Sequence, residues 1–75
     1  MIRELDTVVL KGDLAEFGLT AGDVGTVVMV HEGGRGYEVE FVTLDGETIA
    51  VVTLDADRVR PIGPREIAHA RRVAA

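Results

Sequence analysis

Glu38 and Glu40 flank Val39 in the run "YEVEF", a spacing that puts both carboxylates on one face of a β-strand. Paired carboxylates can do general acid–base work, but only in a shielded pocket that shifts a pKa. A chain of 75 residues builds a strand structure small enough to be filled by its own side chains. The pair therefore reads as an exposed acidic stripe that can serve as a contact surface. The other reactive types are sparse: there is no cysteine and no serine, which leaves threonines and Lys11 as nucleophiles. His31 and His69 lie far apart in the chain, with no metal-ligand spacing on a shared helix. His31, beside Glu32, is expected at the surface. No catalytic residue, metal site or cofactor is assigned, and the chain is not expected to be an enzyme.

Gly22-Asp23-Val24-Gly25 is the segment most like a ligand cradle. It lacks the spacing of a P-loop or dinucleotide fingerprint, and it leads into a strand rather than a helix. We read the glycines as a turn that releases the chain into that strand, with Asp23 bonding local backbone N–H groups.

Charge is the most informative feature of the composition. Residues 1–57 hold twelve acids against Arg3, Lys11 and Arg35, a net of −9; residues 58–75 carry five arginines against Glu66, a net of +4. The plain reading is a solvated surface. The sharper one is an acidic face, formed by Asp23, Glu32, Glu38, Glu40 and Glu47, that docks a basic protein, with the tail folding back or reaching elsewhere. Tyr37 is the natural aromatic anchor of such a face if it is not wholly in the core. Arg65, Arg71 and Arg72 are the candidate nucleic-acid or partner contacts of the tail.

The elements that position these residues are short. Val8 to Leu10 form a first strand closed by Gly12-Asp13. A long loop follows, with Leu14, Phe17 and Leu19 tucking inward. Thr26 to His31 make the second strand, and "EGGRG" supplies left-handed positions for a hairpin loop. In the third strand, Tyr37 to Thr43, residues Tyr37, Val39 and Phe41 share the face opposite Glu38 and Glu40. Asp45-Gly46 favours a type I′ turn into a fourth strand from Thr48 to Leu54. "DADR" is a single 3₁₀ turn, and "VRPI" is a short edge strand that tolerates Pro61. The fourth strand, "TIAVVTL", is apolar on both faces, which predicts that both are covered, by the tail or by a second chain as in a homodimer. Pro64, Glu66 and Arg71-Arg72 suit a helix over the tail, which frays unless it docks. The fold class is all-β: a small five-stranded barrel over residues 1–62, with a short C-terminal helical or frayed tail over 63–75. No apolar run reaches membrane-spanning length and no signal-peptide pattern opens the chain, so a cytoplasmic location is expected, with no membrane partner.

"DTVVLKGD", "GTVVMV" and "LDADRVRPI" resemble the KOW-type SH3-like barrel of transcription factors and ribosomal proteins. More closely, "LDTVVL…GLTAGDVGTVVMV…YEVEFV…TLDADRVRPI" is similar to a family of small bacterial proteins catalogued as a domain of unknown function, over residues 5–62. The fold also resembles the barrel of nitrile hydratase β-subunits, which serves there in subunit contacts. In KOW barrels the loop between the first two strands touches RNA or protein. Here that role would fall on Leu14–Asp23, where Glu16 and Asp23, with Asp13 just before them, come with no Lys or Arg. Phosphate contact needs cations, so the resemblance does not carry RNA binding to this barrel. The expected function is a non-enzymatic, protein-binding module for a basic partner, of antitoxin or immunity type or as an accessory subunit. The alternatives are a KOW-like RNA or ribosome binder using the Arg-rich tail, and a non-catalytic barrel subunit of a larger enzyme.

Overall fold

The computed structural model describes residues 1–73. Five antiparallel strands, β1 (Thr7–Leu10), β2 (Val24–His31), β3 (Gly36–Val42), β4 (Thr48–Asp55) and β5 (Val59–Pro61), form one sheet in the order β4-β3-β2-β1-β5. Two 3₁₀ turns, Ala15–Phe17 and Ala56–Arg58, join β1 to β2 and β4 to β5. The second turn forces the sheet to roll. In a flat sheet β4 and β5 would lie four strand spacings apart, about 19 Å. Asp55 and Val59 are four Cα steps apart, at most about 14 Å when fully extended. The two edge strands must therefore curl toward each other, and residues from all five strands share one buried cluster.

That cluster follows strand periodicity. Tyr37, Val39 and Phe41 of β3 point inward, with Val8 and Leu10 of β1, Val27 of β2, Val52 and Leu54 of β4 and Val59 of β5. Leu14 and Leu19 close one end by exchanging backbone hydrogen bonds of 2.9 and 3.1 Å. Phe17, expected inside, is 39% exposed: the loop is pinned by the two leucines, and the phenylalanine on the 3₁₀ turn between them is turned outward. Among the described residues no polar side chain is buried.

The glycines around Asp23 act structurally. Gly22 takes φ 95° and its N–H donates to the Leu10 carbonyl at 2.8 Å, closing the turn. Gly25 pairs with Val8 inside β2. A Cβ there would stand 2.6 Å from Val39 Cγ1 and 3.0 Å from the Glu40 carbonyl oxygen, so only glycine lets β2 approach this closely.

Three expectations are corrected. The β3–β4 turn is not type I′, because Gly46 takes φ 96° whereas Asp45 stays out of the left-handed region. The Gly46 N–H donates to Thr43 at 3.0 Å and the Thr43 N–H to Glu47 at 2.8 Å, a three-residue loop with glycine at its left-handed position. On β4 the outer face is not covered by the tail: Val51 is 50% exposed. Part of the strand's unbroken apolarity has another cause, a register shift that pairs Phe41 with Ala50 and Val42 with Thr48. Ile49 is the extra residue, and both it and Ala50 pack against the core. Finally, residues 63–73 form no helix, and residues 64–73 are exposed throughout; positions 74–75 of the expected helix lie outside the described residues. So short a helix needs packing to persist, and here the chain instead runs back along the sheet.

Candidate functional site

The outer face of the sheet is built by cross-strand register. Glu38 stands opposite Thr53 on β4 and Met29 on β2, and Glu40 stands opposite Val51 and Thr26. Both glutamates are half-buried and both are braced. Glu38 Oε1 accepts from His31 Nε2 at 3.1 Å and from Thr53 Oγ1 at 3.4 Å, and Glu40 Oε2 accepts from Thr48 Oγ1 at 2.9 Å. Beside them lie half-exposed apolar side chains: Val28 at 38%, Met29 at 46% and Val51 at 50%. The surface is thus a strip of apolar and threonine side chains carrying two held carboxylates. His31 lies at the surface, its side chain 34% exposed, and is tied to Glu38.

The remaining acids expected on this face are distributed differently. Glu32 and Glu47 lie in the loops at the two ends of β3, about 25 Å apart along an extended strand. Both are exposed. Tyr37 is buried, with 6% of its surface accessible, so it cannot anchor a partner: the alternation that aims Glu38 outward aims Tyr37 inward. Asp23 precedes β2, at the end of the sheet away from His31, and its carboxylate is already engaged.

Its partner is Arg71, 48 residues away in sequence. Arg71 Nε donates to Asp23 Oδ1 at 2.7 Å and Nη2 to Oδ2 at 2.6 Å, a bidentate fork, and Nη2 also donates to the Gly18 carbonyl at 3.0 Å. The Thr20 N–H donates to Asp23 Oδ2 at 2.8 Å and fixes the carboxylate. The Arg71 hydrogen bonds hold the Asp23 carboxyl below its ordinary value; partial burial opposes this, and the Thr20 amide adds to it. The same partner raises Arg71.

A second fork holds the start of the tail. Arg60 Nη1 and Nη2 each donate to Glu66 at 2.7 Å, and the Gly63 N–H donates to the same carboxylate at 2.6 Å. Arg60, then the Gly63 amide, lower the Glu66 carboxyl to about 2. Between tail and sheet runs a groove of about 1190 Å³, with Val9, Val24, Val42, Leu44, Ile49 and Ile62 among its lining residues. Val9 is buried yet outside the central cluster; it faces this groove beside Arg60, its neighbour on β5.

Of the tail arginines, Arg71 is therefore committed to Asp23, whereas Arg65 and Arg72 make no ion pair among the described residues. Neither fork was read from the sequence: the Arg71–Asp23 pair is 48 residues apart and has no local pattern, and the Arg60–Glu66 pair, six apart, has no helical or strand spacing that sets it. The bracing of Glu38 by Thr53 depends on the register shift: the three-residue loop alone would set Glu38 opposite Val52, and the extra residue Ile49 moves Thr53 there.

Among the described residues no group of three or more His, Asp or Glu side chains converges as a metal site, and no helix is long and apolar enough to cross a membrane. No curated protein and no solved structure matches the chain. A family match exists over residues 4–61, which run from the turn before β1 to the last residue of β5 and leave out the tail. The chain belongs to the family described as Domain of unknown function (DUF4926).

Proposed function

We propose that this chain is a non-enzymatic, cytoplasmic protein-binding module of SH3-like barrel form, docking a basic partner on the outer face of β2, β3 and β4. One observation carries the reading. Glu38 and Glu40 stand side by side among Met29, Val51 and the threonines of β2 and β4, each carboxylate held by a neighbouring side chain. Held charges lose little freedom on binding, which favours affinity. Acidic groups around apolar surface steer a cationic partner and select it over neutral ones. The exposed side of β4 at Val51 offers the area that an interface, including one with a second copy, would cover. An antitoxin- or immunity-type partner of a basic enzyme and an accessory subunit of a larger assembly both use such a surface.

The test is capture from the native cell by the unaltered chain and by the Glu38→Lys/Glu40→Lys variant, at low and at high salt. A basic protein retained by the unaltered chain at low salt, and lost at high salt or on charge reversal, supports the reading. Retention that ignores both changes overturns it. The association rate with that protein should fall by about 10- to 100-fold on charge reversal at low salt.

A further inference from the structure

Residues 64–73 are exposed throughout, and Ile67 is 94% accessible. The strap makes little use of the apolar groove beneath it. What fixes its far end is Arg71, in a place shaped for that side chain: a carboxylate oriented by the Thr20 N–H, two oxygens met side-on by Nε and Nη2, and the Gly18 carbonyl beyond. A lysine has one nitrogen and cannot make this fork. The chain entropy of ordering ten exposed residues offsets most of what two solvent-accessible ion pairs return, so the strap is readily released.

We propose that Asp23 and the Gly18 carbonyl form an arginine socket for an extended, arginine-bearing segment of a partner protein, and that residues 63–73 are an intramolecular occupant which the partner displaces. The proposal rests on the preceding reading for the class of partner, a basic protein, but on none of the Glu38–Glu40 geometry. The socket's own charge selects a cation, and the fork selects arginine among cations. A partner segment that also sets an apolar side chain against Val24, Val42 or Leu44, which are 46%, 49% and 99% exposed, gains what the strap leaves unused. The strap meanwhile shields the carboxylate from loosely matched cations.

The probe is a fluorescent peptide of residues 63–73, added to the full-length chain and followed by anisotropy. The Arg71→Ala chain, with an empty socket, should bind it at least about tenfold more tightly than the unaltered chain, whose tethered strap competes at high effective concentration. On the Arg71→Ala chain, a peptide with Arg71→Lys should bind about tenfold more weakly, and one with Arg72→Lys within about twofold of the parent. These two peptides have equal charge and leave the protein untouched. Adding Asp23→Asn to the Arg71→Ala chain should abolish binding, whereas adding Glu38→Lys/Glu40→Lys should not, which separates this site from the outer face. No peptide binding by the Arg71→Ala chain, or equal losses from the two lysine peptides, would overturn the socket. A concentration-dependent dimer of the unaltered chain, lost on Arg71→Ala, would make the occupant a second copy and overturn the partner assignment.

Discussion

The rolled sheet and the tail are held by opposite means. In the sheet, Val8, Val27 and Val39 are fully excluded from water and strand register aims each side chain. In the tail, residues 64–73 are all exposed, and two arginine–carboxylate forks fix the path. Apolar burial is insensitive to pH and salt in the range where ion pairs respond to both. The two regions should therefore come apart under different conditions, the tail under conditions that leave the sheet intact.

The largest effects belong to the sheet. Phe41→Ala removes a buried ring of the central cluster and should cost about 3–5 kcal/mol, read as a lower urea midpoint. Gly25→Ala should cost about 1–3 kcal/mol, because the new methyl meets Val39 and the Glu40 backbone. A Gly25→Ala chain as stable as the parent would contradict the close approach of β2 to β3. In the tail, Arg71→Ala should change global stability by less than about 1 kcal/mol, while the Gly18–Asp23 and tail amides lose their native chemical shifts. A cost as large as that of Phe41→Ala would erase the distinction.

Acid offers a reversible version of the same comparison. Asp23 and Glu66 have folded values below their ordinary 3.8 and 4.5. Groups depressed in this way stabilise the docked tail above the ordinary values and lose that contribution as pH falls through the folded ones. For Glu66 the window runs from 4.5 down to about 2. Gly63 signals should move to free-chain positions across it, and Arg71 signals as Asp23 protonates below its ordinary value, while signals of the sheet core persist. The smallest effect concerns Leu5, exposed yet at φ 72°. Leu5→Gly relieves a left-handed leucine, and the melting temperature should rise slightly, by less than about 1 kcal/mol in stability.

The sheet was legible in the sequence because its rules are local. Alternation in "YEVEF" assigned the faces of β3, and the Gly-rich run after His31 and the Asp45-Gly46 pair located two hairpins. The type of the second turn was not legible, since the same dipeptide serves loops of two lengths. β4 resisted reading because a register shift let Ile49 and Ala50 both reach the core, which mimics a strand covered on two sides. The tail misled more. Its proline, its acid in the first turn and its terminal arginines fit a helix, but the partners that decide its path, Asp23 and Arg60, lie outside the segment. The candidate site was half legible: periodicity paired Glu38 with Glu40, whereas the bracing by His31, Thr48 and Thr53 needed the cross-strand register.

The most direct test of the docking account is an amide chemical-shift titration of the labelled full-length chain with the basic protein it captures. The account predicts perturbations centred on Glu38, Glu40, Val51 and Thr53, shrinking as salt is raised. Perturbations that leave this face unmoved would contradict it.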